Sequence, residues 1–219
     1  MYYPAFLDLR GLDCVVIGGN EHAVAKANGL LDSGAVVTVI AETIHEGLQW
    51  LVRSKKVTWL NREYKDNDLE GAFLVISVLM SSATNTLIRA EAKRRKILIN
   101  AMDDVPNCNF IAPSILRRGP LTVAISTSGK APALAVRIRE SLAEKIGEEY
   151  SQFLEIIGPL RDELVLRFPD FESRRARWYE LVDSDILSLL KAGRESEAHE
   201  RIAEILNVET ETVAMEPMP

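Results

Sequence analysis

Over the first hundred residues, short unbroken apolar runs alternate with stretches whose apolar positions recur three and four apart. The runs DCVVIGG, AVVTVIA, VTWLN, AFLVISVL and ILINAM predict strands, and AVAKANGLLDSG, TIHEGLQWLVRS and TNTLIRAEAKRRK between them predict helices. Strand and helix in alternation predict a parallel sheet. The nearly continuous apolar character of the strand runs predicts that helices cover both of its faces, an α/β, doubly wound arrangement. After FIAP the pattern changes. RRGPLTVAISTSGKAP predicts one further strand with Gly/Pro-rich flanks, and a long helical stretch follows from Ala133 to Phe168, interrupted at Gly147 and Pro159. From about residue 150 onward only helical periodicity remains, and it fades in VETETVAMEPMP, which reads as a frayed tail.

Composition narrows the class. With 219 residues, 47% of them hydrophobic, the chain can bury a substantial core and form one full domain plus a smaller one. No run approaches the ~18 uncharged apolar residues of a membrane span, and MYYPAFLDLRG lacks both a basic start and an apolar targeting core. The expected compartment is therefore the cytoplasm, with no membrane partner. Only Cys14 and Cys108 are present, without metal-ligand spacing, which excludes a Cys-based zinc site. The three histidines, His22, His45 and His199, do not pair at ligand spacing either, so no resident metal is expected.

The formal net charge of -6 argues against a nucleic-acid binder, but the charge is uneven. Residues 93–139 hold nine cations against Asp103 and Asp104, a window of +7 in a remainder of -13. The window is either a set of solvated helix faces or a surface for a polyanionic ligand.

The first strand ends in a glycine turn, Gly18-Gly19-Asn20-Glu21-His22-Ala23, read against the spacing G-x-G-x-x-G/A. Gly18 supplies the bend, Ala23 the small position where helix packs on strand, and the helix start offers unpaired N–H groups to a pyrophosphate. Asn20 stands where the second glycine belongs, and its side chain is expected to crowd a phosphate. Glu42, past the second strand and next to Thr43, is either a ribose-hydroxyl acceptor or an exposed acid at a helix start.

Taken together, YPAFLDLRG, VVIGG…AVAK, INAMDD…CNFIAPSILRRGPLTVAISTSGKAPALAVRIRE and RRARWYELV resemble the precorrin-2 dehydrogenase/sirohydrochlorin ferrochelatase family, which includes the N-terminal half of sirohaem synthase. The likeness reaches to about residue 206 and is most specific from Ile99 to Arg139. It implies a Rossmann-type NAD-binding domain over 1–113, a small dimerisation segment over 114–147 and a C-terminal helical domain over 148–207, assembled as a homodimer; the fading periodicity leaves 208–219 as a disordered tail. The implied activity is NAD-dependent oxidation of precorrin-2, a tetrapyrrole, to sirohydrochlorin. In some members a divalent metal is then inserted as a second substrate.

The resemblance also implies residue roles. The family's catalytic aspartate falls on Asp103, and its hydroxyl loop falls on Ser126, Thr127 and Ser128, beside the tetrapyrrole. Gly18, Gly19, Asn20, Glu21, His22, Glu42 and Thr43 fall on the cofactor side, and Arg117 is a candidate for the substrate's carboxylates. Two departures lie on that cofactor side: Asn20 in place of a third glycine, and Val78-Leu79-Met80 where the family writes A-T-D. They leave three readings open: NAD bound in an altered way, a chelatase that has lost its dehydrogenase step, or a non-catalytic tetrapyrrole or nucleotide sensor.

The chemistry of the residues is consistent with the first. Removing two hydrogens from a reduced macrocycle needs a hydride acceptor and a base at separate positions. Asp103 directly follows the ILIN strand, where ligands of open α/β sheets bind. On loop composition alone, Asp103 and Asp104 read as a turn or cap ahead of Pro106 rather than as a base. The resemblance singles out Asp103 and leaves Asp104 as the cap.

Overall fold

A computed structural model describes residues 2–213 of the chain. Two compact units divide it, one ending at Ala112 and the other beginning at Pro113. The first runs β1 (Asp13–Ile17), α1 (Glu21–Leu31), β2 (Val36–Ile40), α2 (Glu46–Arg53), β3 (Val57–Leu60), β4 (Leu74–Ser77), α3 (Ser82–Arg95) and β5 (Leu98–Ala101), closing with a 3-10 turn at Val105–Asn107. Its five strands are parallel, in the order β3-β2-β1-β4-β5.

Successive residues of β1 feed opposite layers. Cys14 and Val16 join the core made with α1 and α2, while Val15 and Ile17 join the one made with α3. Burial on both faces is what continuous apolar strands require. Because β1 pairs with β2 on one side and β4 on the other, chain order reverses across it. In such sheets the crevice at the carboxyl ends of the two diverging strands is where ligands bind.

The second unit begins with an antiparallel hairpin, β6 (Ser114–Arg118) and β7 (Leu121–Ile125), paired from Ser114↔Ile125 to Arg118↔Leu121. One strand was expected here, and there are two in a sheet of their own. The chain turns back at Gly119, which takes φ +51 and packs against Ser151, whose Oγ a Cβ there would meet at 1.9 Å.

Helices follow: α4 (Pro132–Lys145), α5 (Glu149–Ile157), α6 (Arg161–Arg167), α7 (Phe171–Asp183), α8 (Ile186–Lys191), α9 (Glu195–Leu206) and α10 (Thr210–Val213). The breaks after α4 and α5 fall at Gly147 and at Gly158-Pro159, as the sequence indicates. Buried Phe153, Leu164, Leu181, Ile186, Ile202 and Leu206 form the unit's core. The expectation of a tail from 208 needs correction. Val208 packs against this core and Val213 is buried in it, because both are apolar and within reach of α9. The rest of that segment, 214–219, lies outside the described residues.

Candidate nucleotide and proton-transfer site

Two adjoining clefts, of about 590 and 700 Å³, open over the glycine turn, and Gly18, Gly19, Thr43 and Leu79 border both. Gly18 lies at φ +107, and its N–H continues the ladder to Ile40 O at 2.9 Å. A Cβ at Gly18 would lie 2.7 Å from Val78 Cγ2, and one at Gly19 would lie 1.9 Å from Thr43 O. The turn is thus pressed between the two loops that follow β2 and β4. Side chains are excluded there, which leaves bare backbone facing a ligand.

Asn20 caps α1. Its Oδ1 accepts from Ala23 N–H at 3.1 Å and its Nδ2 donates to Val78 O at 3.4 Å, with φ -79. The side chain is engaged with the helix start and the β4 loop. By helix geometry the N–H groups of Glu21 and His22 remain available to an anion. His22 is half exposed, with Nε2 4.0 Å from Glu21 Oε1. Glu42 and Thr43 are exposed and border the 590 Å³ cleft, and Trp59 Nε1 donates to Ala41 O at 2.9 Å just beneath them. The bare turn, the helix start and the acid past β2 fit an NAD-type dinucleotide.

Beyond β5, Asp104 N–H closes a turn onto Ala101 O at 3.2 Å. Asp103 occupies its third position at φ +56, exposed. That conformation costs a non-glycine residue about 1–2 kcal/mol. Asp104 is not simply a cap. Its Oδ2 accepts from Asn107 Nδ2 at 2.9 Å and Asn85 Nδ2 at 3.1 Å, and these two amides hold its carboxyl below the usual carboxylate range. Buried Asn85 in turn accepts from Ser77 Oγ at 2.7 Å and donates to Leu79 O at 3.3 Å. Cys108 Sγ accepts from Ala101 N–H at 3.1 Å, and burial pushes its thiol up, away from the reactive thiolate.

In the second unit, Ser126, Thr127 and Ser128 form the loop between β7 and α4. Ser126 Oγ accepts from Ser128 N–H and Thr127 Oγ1 from Ala131 N–H, both at 3.1 Å, with Ser128 at φ +56 and Gly129 at φ +77. Arg117 is exposed on β6 opposite Thr122. Much of the basic window is tied up within the protein. Arg94 pairs with Asp66 at 2.9 Å, Arg95 with Glu91 at 2.9 Å, Arg137 with Glu140 at 3.0 Å, and Arg118 donates to Ile146 O at 3.0 Å.

Sequence reasoning missed Ser77, Asn85, Glu91, Asn100 and Asn107, the polar residues buried in the first unit. Their types and positions look like helix surface, strand end and turn, and only the polar doublet Thr84-Asn85 near the start of α3 hinted at a role.

Comparison with known proteins follows the same division. Residues 5–114 match a putative NAD(P)-binding family, 118–145 the sirohaem biosynthesis protein central family and 149–206 the sirohaem synthase dimerisation region. The chain belongs to the precorrin-2 dehydrogenase/sirohaem synthase family. Among its members, sirohaem synthase of Photobacterium profundum is 36% identical over 92% of this chain, and sirohaem synthase 1 of Serratia proteamaculans is 34% identical over 94%. The chain spans 43% of the length of each. A solved structure described as SirC, precorrin-2 dehydrogenase, superposes with a TM-score of 0.76 at 25% identity, covering 94% of this chain and all of that one. Family membership makes the first unit an NAD(P)-binding domain. No helix among the described residues is long and apolar enough to cross a membrane.

Proposed function

We propose that this protein oxidises precorrin-2 to sirohydrochlorin with NAD⁺. The carrying observation is the glycine turn between the β2 and β4 loops, where a Cβ at Gly19 would lie 1.9 Å from Thr43 O. Despite Asn20, that turn keeps the bare backbone that a pyrophosphate needs. Bound there, NAD⁺ supplies the acceptor for the hydride that leaves a ring carbon. Glu21 and His22 present their N–H groups to the pyrophosphate, and Glu42 accepts a ribose hydroxyl. Asp103 takes the proton released as the new double bond forms, so one hydride and one proton leave together. Ser126, Thr127, Ser128 and Arg117 bind the acetate and propionate groups of the macrocycle.

A division into 1–113, 114–147 and a helical part from 148 serves this reading, with self-association carried by the second unit. The match over 149–206 supports a homodimer. So does the exposed stripe of Phe171, Tyr179 and Val182 along α7. The compartment the reading assigns is the cytoplasm, where NAD⁺ is at hand and both cysteines remain free.

The test is spectroscopic. Purified protein should convert precorrin-2 to sirohydrochlorin only when NAD⁺ is present, and Asp103→Ala should slow conversion by about 10²-fold, the usual contribution of a positioned base. Tight tetrapyrrole binding without conversion would point to a sensor instead. Metal insertion with no NAD⁺-dependent oxidation would point to a chelatase.

A further inference from the structure

Asp103 is exposed and sits at φ +56, so nothing in its own backbone preference holds it there. Several contacts hold the residues around it. Asp104 N–H reaches back to Ala101 O at 3.2 Å, Asn107 N–H reaches Asp104 O at 2.9 Å, and the Asp104 carboxylate is gripped by the Asn107 and Asn85 amides at 2.9 and 3.1 Å. The last ties the Asp104 side of the turn to α3, while on its other side Met102 N–H donates to Ser77 O at the end of β4 at 2.9 Å. Asn85 lies in α3, is 1% exposed, and is itself locked by Ser77 Oγ at the end of β4. Asn107 extends the link through Thr86 Oγ1 at 3.5 Å.

We propose that Asp104 is a positioning residue for the reaction: clamped between Asn85 and Asn107, it fixes the turn that presents Asp103 beyond the carboxyl edge of the sheet. The inference rests on the reading of Asp103 as the base. A loop carrying a base in a strained conformation relaxes when its clamp is removed, and a small displacement of a reacting group costs rate far more than it costs binding. Asn85 also donates to Leu79 O at 3.3 Å, so one buried amide joins the proton-accepting turn to the loop bordering the nucleotide clefts.

Because both amides bond to the same oxygen, a neutral isostere can still accept from them. Asp104→Asn should therefore keep kcat within about threefold of the parent. Asp104→Ala should lower kcat at least tenfold with KM for precorrin-2 unchanged. In an Asp103→Ala background, adding Asp104→Ala should cost less than twofold more, because the clamp then has no base to position.

If Asp103→Ala itself runs at parent speed, the base reading falls and this inference with it. If Asp103→Ala is slow but Asp104→Ala runs at parent speed, or the two losses multiply in the double variant, only the positioning role is overturned. Should Asp104→Ala fail to fold, Asn107→Ala carries the test: a kcat loss of at least threefold at constant KM supports the clamp, and parent kcat overturns it.

Discussion

Asn20 bonds to the start of α1 and to the β4 loop, and it does so with φ -79. The sequence suggests an obstruction, because an asparagine where the motif has glycine looks like bulk in the phosphate's path. In the structure its oxygen is bonded to Ala23 N–H and its amide to Val78 O. Asn20→Gly should accordingly leave the Kd for NAD⁺ within about threefold, and Asn20→Ala should cost about 1 kcal/mol of stability through the lost cap. A binding isotherm and a denaturant titration measure the two effects, and a tenfold tightening in the glycine variant would restore the obstruction. What could be read beforehand at this scale was residue type and spacing: the bend at Gly18 and the strand-end position of Asp103. The Asn85–Asp104–Asn107 clamp was hidden, since its members lie up to 22 positions apart and are joined only by the packing of α3 against the β5 loop.

Among the elements, α3 shows how a polar helix is anchored. Its Glu91 is fully buried and accepts from Tyr64 Oη at 2.5 Å, Asn67 N–H at 3.1 Å, Leu69 N–H at 3.2 Å and Arg95 Nε at 2.9 Å. Burial and the Glu91 carboxylate together push the Tyr64 hydroxyl well up, so it stays a proton donor at all ordinary pH. Glu91→Ala would leave the buried Leu69 N–H and the half-buried Tyr64 hydroxyl without their acceptor and should destabilise the protein by about 3 kcal/mol, read from chemical denaturation. The strands and helices of the first unit were legible because buried parallel strands are continuously apolar and their crossover helices are periodic. The β6–β7 hairpin was not, because Arg117 and Arg118 interrupt the apolar signal while Leu116 alone of that strand is buried. Glu91, inside RAEAKRR, carried no sign of burial, since helix periodicity does not reveal a partner 27 residues away.

Among the described residues, three cores in two units account for a molecule that matches 43% of a much longer relative and the whole of a shorter one. The proposed self-association makes a prediction at this scale. Sedimentation at micromolar concentration should give twice 24.4 kDa. Replacing exposed Phe171 and Val182 together by Glu should shift the species toward the single chain while leaving the helical circular dichroism intact. A dimer unchanged by both substitutions would place the interface elsewhere. The indole of Trp59, bonded to the O of Ala41 that borders the 590 Å³ cleft, also gives the protein a built-in optical gauge. Its emission should change when the cleft fills, so occupancy can be followed in unlabelled protein, before any turnover and in variants that have none.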